Sequence, residues 1–561
     1  MWNAEEALKM KGNNILKLSW PIFVELLLQM LVGNADQIMV GWRDPNGVGA
    51  IGNAKQITNL LLLVFSVVCT AAMILISQYI GAKDTKRVNQ TYTVALLMNL
   101  VFGLLVSAVL VLGCGPIFRL MGVHVLIFEE TCLYMRLIGL GMMFQAVYLT
   151  FTAFFRSSQM MKETMVISVV MNCLNIGGNY VLINGLGPIP AMGIAGAAIS
   201  SGLSRIMGAA IIAVLFRRTF GPVISLRCLR PFPWDQLKRL LAIGVPITLS
   251  NSAMSILNII DTKIVMGQLQ NALLLSEESA AALNGQYSMA MDMPNMVASF
   301  VYPVTMSLIP FAAAALARQD HAGADRIISS AFRIIAILAL PAGIGLSVLS
   351  TPIMVLVLPA QREDALAAGP HLQVLGIALI FICLMILTNA ILQTYGKEKL
   401  PIFTVIVGGI VKIIMNYFLV GNPDINIHGA PISTLCCYLV IVVLNLFFVW
   451  KYSPQKPRYL EVFAKPVAAS LLMGGAAWAV YGLASRVLDG AFLALAQQMF
   501  ADPDKIQLWS VYLANAACVL LGILAGVIVY GVLVIALRIL RAEDVRSIPR
   551  GEKLIKLLHL K

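Results

Sequence analysis

Residues 21–41 read PIFVELLLQMLVGNADQIMVG, and residues 246–267 read PITLSNSAMSILNIIDTKIVMG. Each run has about the 20 residues that a helix needs to cross the hydrocarbon of a bilayer. Each starts on a proline, Pro21 or Pro246, and reaches an aspartate fifteen residues on, Asp36 or Asp261. An acid at mid-membrane costs about 2.5–3.5 kcal/mol on insertion scales, so it faces protein or water rather than lipid. Two such runs with one internal spacing point to a duplicated membrane protein whose buried acids have a task.

The rest of the chain agrees. Of 561 residues, 59% are hydrophobic and only 12% are charged. Soluble domains carry about 25% charged residues, and no polar stretch here is long enough to form one. Further apolar runs follow, and we read fourteen spans: 14–41, 57–79, 91–114, 131–154, 164–186, 192–216, 239–267, 285–316, 327–349, 366–394, 400–421, 429–451, 463–485 and 509–537. Backbone polar groups cannot stay open in lipid, so the runs must be helices. They are too long and continuous for barrel strands. The fold class is therefore an all-α polytopic membrane protein. The first apolar segment passes through Glu25 and Asp36 with no small-residue cleavage site, and reads as a retained span.

Net charge is +13. The bases sit in short loops between spans, which argues against nucleic acid as a partner. With fourteen spans and an inner N-terminus, the outer loops hold Arg43, Lys55, Arg119, Arg362, Arg486 and Lys505, while most other bases fall in inner segments. That asymmetry places both termini in the cytoplasm and the chain in the plasma membrane. The nine cysteines form no CxxC or zinc spacing, and the histidines form no HExxH cluster. No metal site or cofactor is expected. No GxxxxGK[ST] loop appears, so energy would come from an ion or substrate gradient.

The chain divides at its longest basic loop. We assign an N-lobe of six spans to 1–218, a basic linker to 219–238, a C-lobe of six spans to 239–452, spans thirteen and fourteen to 453–540, and a basic amphipathic tail to 541–561. The lobes repeat weakly. Lys162 precedes Tyr180 of Asn179-Tyr180 by eighteen residues, and Lys399 precedes Tyr417 of Asn416-Tyr417 by eighteen. A small-residue motif follows each, Gly196-Ala-Ala-Ile-Ser200 or Gly429-Ala-Pro-Ile-Ser433. Six spans separate the copies, so they enter from the same side and are related by an axis along the membrane normal. Two such lobes are expected to enclose a central site reached alternately from either face. The loop 488–508 is expected to be external, with room for a short amphipathic helix. The tail, with Leu554, Ile555, Leu557 and Leu558 among its bases, is expected to lie on the inner leaflet, so membrane lipids are its partners.

At about 100° per residue, Glu25, Gln29 and Asp36 share a face of span one. Asn172, Asn175 and Asn179 line up on span five, and Lys412 and Asn416 on span eleven. Span seven carries Asn251, Ser255, Asn258 and Thr262 with Asp261 beside them. Span eight carries Asp292, Asn295, Ser299 and Tyr302, with Pro294, Pro303 and Pro310 as bends. These are the candidate cavity residues, with Asp36 and Glu25 as candidate ion-coupling groups. Asn, Ser and Thr also bond across helices, so part of the set serves equally as interhelical glue. Lys412 either pairs with a neighbouring acid or meets a substrate. Arg136 and Arg205 are ion-pair partners or substrate ligands.

The stretches LSWPIFVELLLQMLVGNADQIMVG, AAMILISQYIGAKD, AFFRSSQMMKETM and NCLNIGGNYVLI make residues 13–218 resemble the N-terminal lobe of multidrug and toxic compound extrusion (MATE) transporters. Residues 235–561 resemble flippases of the stage V sporulation protein B type, through IIDTKIVMGQLQ, LNGQYSMAMDMPN, SLIPFAAAALARQD, LPAGIGLSVLSTPIMVL and IPRGEKLIKLLHLK. Both types fall in one superfamily. The resemblance implies proton or sodium coupling at Asp36, and a cavity wall at Asn175 and Asn179. Span ten contains no acid, so it does not extend to a second-lobe sodium site.

The resemblance leaves two functions. One is an ion-coupled efflux antiporter for amphipathic, often cationic compounds. The other is a flippase for a lipid-linked oligosaccharide or cell-wall precursor, whose pyrophosphate would want bases such as Lys263, Lys412, Arg136 and Arg205. Either is a transporter rather than an enzyme, with H+ or Na+ as coupling ion, and the chain reads as a monomer.

Overall fold

The computed structural model describes residues 45–539 with short breaks at 121–124, 187–189, 225–231, 358–361, 454–455, 458 and 500–502. Within the first expected span it describes positions 21, 22, 24, 25, 28, 36, 39 and 40, all helical. Gln29 and the tail 541–561 lie outside the described residues.

The described residues form helices and no strands. In order they are α1 (Pro45–Gly81), α2 (Thr85–Leu120), α3 (Val125–Ser157), α4 (Met161–Asn184), α5 (Gly193–Phe220), α6 (Trp234–Asn271), α7 (Glu277–Ala298), α8 (Tyr302–Ala317), α9 (His321–Val348), α10 (Ser350–Val357), α11 (Arg362–Thr394), α12 (Lys399–Val420), α13 (Gly429–Tyr452), α14 (Tyr459–Met499) and α15 (Pro503–Ala536). Twelve helices among the described residues are long and apolar enough to cross a membrane. Of the other two expected spans, the seventh is helical within α6 and the first is described only in part.

One expectation needs correction. The loop expected at 488–508 is mostly helix: α14 continues to Met499 and α15 starts at Pro503. The stretch after Leu488 is rich in Ala, Leu and Gln, with only Gly490 to interrupt it, and these residues extend a helix readily. Pro503 then opens α15 at the first helical position, where its missing N–H costs nothing. Span eight runs from α7 into α8 as one span with a local irregularity. A 3-10 turn at Ser299–Val301 separates α7 from α8, next to Pro303, which has no N–H to donate back into the preceding turn. Pro294 and Pro310 lie within α7 and α8.

The repeat is written into the turns. At the end of α3, Met160 N–H donates to Phe155 O at 2.9 Å and Gln159 N–H to Arg156 O at 3.0 Å, with Gln159 at φ 63°. At the end of α11, Lys397 N–H donates to Leu392 O at 2.9 Å and Gly396 N–H to Gln393 O at 3.0 Å, with Gly396 at φ 69°. Both are Schellman caps, in which a left-handed residue lets the last carbonyls find donors. One shift of 237 residues carries Val125–Ser157 onto Arg362–Thr394 and relates the two caps. A second pair of caps closes α1 at Lys83 and α8 at Gln319, each followed by an aspartate capping the next helix. Asp84 Oδ1 accepts from Arg87 N–H at 3.1 Å, and Asp320 Oδ1 from Gly323 N–H at 2.8 Å.

Two compact units result, Met1–Thr248 with Met306–Ala324, and Leu249–Thr305 with Asp325–Lys561. The first is held at one end by an aromatic cluster of Tyr92, Phe151, Phe154, Phe155, Phe216 and Phe220 from α2, α3 and α5. Its ring centroids include Tyr92–Phe154 at 4.6 Å and Phe216–Phe220 at 4.7 Å. Asn99 ties α2 to α3 by donating to Thr150 Oγ1 at 2.8 Å. The second unit packs α6, α7, α10, α11 and α13 around Leu269, Tyr287, Met354, Leu372 and Ala430. There Asn445 of α13 donates to Thr388 Oγ1 at 3.0 Å and accepts from Thr404 Oγ1 at 2.8 Å. The last two helices dock on the second unit through polar anchors. Asn515 donates to Pro352 O at 2.9 Å and accepts from Tyr481 OH at 3.1 Å, while Tyr530 OH donates to Ile337 O at 3.1 Å.

Candidate functional site: a buried aspartate in each unit

In the first unit the small residues of α5 allow α4 to come close. A Cβ at Gly196 would lie 2.5 Å from Leu182 O. The α4–α5 contact brings the asparagine stripe of α4 against Ser200 and Ser201, where Asp36 of the first span joins them. Asp36 is 5% exposed. Its Oδ1 accepts from Asn179 Nδ2 at 2.6 Å, and its Oδ2 from Ser201 Oγ at 2.7 Å and Tyr134 OH at 3.0 Å. Asn175 Nδ2 donates to Ser201 Oγ at 2.8 Å, completing a relay of donors toward the carboxylate.

All three donors to Asp36 are neutral. Among the described residues no base lies within ion-pairing distance of it. Arg205, half-buried on α5, donates to Met142 Sδ at 3.4 Å. The relay also fixes the amides. Because Asn179 and Asn175 give their N–H groups toward the acid, their carbonyls face away, and Asn172 gives its own to Ser168 O at 2.7 Å. The Oδ1 atoms of Asn172, Asn175 and Asn179 are buried with no hydrogen-bond partner among the described residues. Buried acceptors are rarely left so. A buried carboxylate met only by neutral donors is a group suited to a hard cation or a proton.

The second unit builds the matching site with one decisive change. Gly429 on α13 approaches α12 as Gly196 approaches α4, with a would-be Cβ 2.6 Å from Leu419 Cβ. Asp261 of α6 accepts from Asn416 Nδ2, and Ser433 Oγ donates to Asn416 Oδ1. Tyr287 OH contacts Asp261 Oδ2 at 3.4 Å and shares a hydrogen bond with Thr434 Oγ1 at 2.8 Å. Lys412 Nζ lies 2.8 Å from Asp261 Oδ2. The acid here is neutralised in place, and Asn416 Oδ1 is occupied.

The other candidates fall elsewhere. Glu25 is fully buried in an ion pair with Arg156 Nη2 at 2.9 Å and accepts from Thr164 Oγ1 at 3.0 Å. It sits apart from the Asp36 donors. Asn258, Lys263, Asp292 and Asn295 are exposed on the second unit, as is Arg136 on the first, where Arg136 Nε reaches Cys114 Sγ at 3.1 Å. The side chain of Asn251 and all of Gln29 lie outside the described residues.

Tyr134, Ser201, Tyr287 and Thr434 were not singled out from the sequence. Ser201 and Thr434 each follow the last serine of the small-residue motifs, so the signal was one residue away. The tyrosines gave none, because they come from helices that the repeat does not relate. The position equivalent to Tyr134 on α11 is His371, whose ring lies 4.8 Å from that of His428.

Residues 21–181 match the MatE family, and residues 222–497 match the lipid II flippase MurJ family. The chain is 33% identical over 236 residues to the uncharacterized transporter YisQ of Bacillus subtilis, covering 42% of this chain and 52% of that one. It is 29% identical over 246 residues to the probable multidrug resistance protein NorM of Thermotoga maritima, covering 43% and 52%. The chain thus spans about half the length of these curated relatives. In fold it is similar to an outward-facing multidrug resistance MATE family transporter of the MOP superfamily, with a TM-score of 0.67 at 19% identity over 77% of this chain and 94% of that one. The chain is therefore similar to MatE in its first half and to the lipid II flippase MurJ in its second, and its fold is that of the solved MATE transporters.

Proposed function

We propose that this protein is a secondary-active exporter working by alternating access, an H+- or Na+-coupled antiporter for amphipathic or cationic compounds. The observation that carries this reading is Asp36, a buried carboxylate held by neutral donors with no base in ion-pairing distance among the described residues. Such a group can take up a proton or a cation and release it again, because among the described residues no base is paired with it. A cationic substrate and the coupling ion then compete for one charge, which is the basis of exchange. The match to MatE over 21–181 and the likeness to NorM support it. In this reading the chain sits in the plasma membrane with both termini inside.

A second reading, a flippase for a lipid-linked oligosaccharide or cell-wall precursor, draws on the match of 222–497 to the lipid II flippase MurJ. It asks for free bases to meet a pyrophosphate, and Lys412 is already committed to Asp261. The efflux reading fits the first-unit site better.

Proteoliposomes separate the two. With an imposed proton or sodium gradient, efflux of a fluorescent organic cation is expected, and a fluorescent lipid-linked pyrophosphate should stay in its leaflet. Flipping of the lipid with no cation efflux would replace the first reading by the second.

A further inference from the structure

We infer that Lys412 is a built-in cation of the second lobe, occupying with its ammonium the role that a coupling ion plays beside Asp36, so that the chain carries one ion site rather than two. This rests on the reading of Asp36 as the coupling site.

The shift of 237 residues that carries α3 onto α11 also carries Asn179 onto Asn416 and Asn175 onto Lys412. After a shorter loop the shift becomes 233, and it carries Gly196 onto Gly429, Ser200 onto Ser433 and Ser201 onto Thr434. The bend before α5 and α13 keeps that register, with Gly193 and Asn426 both at φ 53°. The two sites are therefore the same construction. Each has an aspartate from the helix that opens its lobe, an asparagine donating to it, and a hydroxyl pair from the small-residue motif. They differ at one position that matters for charge. Asn175 leaves Asp36 with neutral donors, whereas Lys412 places a positive charge 2.8 Å from Asp261 Oδ2.

Two further details agree. Among the described residues the first lobe leaves the carbonyl oxygens of Asn172, Asn175 and Asn179 without partners, while in the second Asn416 Oδ1 accepts from Ser433 Oγ. Among the described residues, the titratable side chains that face Lys412 besides Asp261 are the phenols Tyr287 and Tyr438 and the thiol Cys437, with no second acid or base beside them. A buried carboxylate that already holds a tethered ammonium gains nothing from a second cation, and displacing the lysine would strand its charge. The second lobe is thus set permanently in the ion-loaded state, and only the first lobe cycles.

The test is equilibrium binding of radioactive sodium to the purified full chain, alongside infrared titration of protonated carboxyl groups for the case in which the ion is a proton. The wild type should show one site, and Lys412→Arg the same. Lys412→Asn should gain one site, a bound sodium or a newly titrating carboxyl that a further Asp261→Asn change removes. Asp36→Asn/Lys412→Asn should keep that gained site alone. If Lys412→Asn unfolds, high sodium or low pH should raise its melting temperature more than that of Lys412→Arg. A folded Lys412→Asn protein that gains neither sodium nor a titrating carboxyl would overturn the inference, as would an unfolded one that neither condition rescues. Wild-type ion binding that survives Asp36→Asn would instead refute the Asp36 reading and leave the Lys412 comparison to stand or fall by itself.

Discussion

At the scale of the residue, the difference between Asp36 and Asp261 is a difference in who balances the charge. Hydrogen bonds to charged groups contribute about 1.5–3 kcal/mol each, and Asp36 depends on three of them. Ser201 both donates to Asp36 and accepts from Asn175. Ser201→Ala should therefore lower cation affinity and destabilise the first unit by about 1–3 kcal/mol, read from denaturation in detergent with and without sodium. Equal loss in both conditions would assign Ser201 to stability alone. Glu25 illustrates the opposite case. Removing one partner of a buried ion pair costs about 3–5 kcal/mol, since the other charge is left unpaired. Glu25→Gln and Arg156→Gln should each lower the melting temperature, and the double change should cost less than the sum of the two. Additive losses would mean that the pair is not coupled. Of this chemistry, the sequence made the acids and asparagines legible through helical spacing. It did not reveal that Glu25 is spoken for, because its partner Arg156 read as a loop base.

At the scale of the element, the caps carry the repeat more plainly than the spans do. Gln159 and Gly396 hold the same left-handed turn. A side chain there costs about 1–2 kcal/mol relative to glycine. Gln159→Gly should therefore stabilise the chain by about 1 kcal/mol, and Gly396→Ala should destabilise it by a similar amount. Thermal unfolding of the two variants in one detergent checks the signs, and equal signs would contradict the shared geometry. The helix–helix contacts at Gly196 and Gly429 leave no room for a methyl group. Helix positions were legible from apolar runs and loops from breaks in them. At 488–508 the expected short helix is instead a continuation of α14, because Asp489 and Gly490 interrupt the apolar run without ending the helix before Met499.

At the scale of the whole molecule, two lobes of one construction carry unlike charge. The polytopic helical class was legible from composition, and the duplication from paired spacings such as Pro21 to Asp36 and Pro246 to Asp261. The pairing of Lys412 with Asp261 was open in the sequence, since no spacing along one helix reports which residue of another it meets. The same paired spacings set Lys412 opposite Asn175, and the structure gives that substitution its meaning. In the proposed function Asp36, with no base paired to it among the described residues, couples ion movement to export. The most direct measurement of that coupling is gradient-driven efflux of a fluorescent organic cation from proteoliposomes, wild type beside Asp36→Asn. Efflux should follow the proton or sodium gradient in the wild type and be abolished in Asp36→Asn. Gradient-driven efflux that persists undiminished in Asp36→Asn would contradict that coupling.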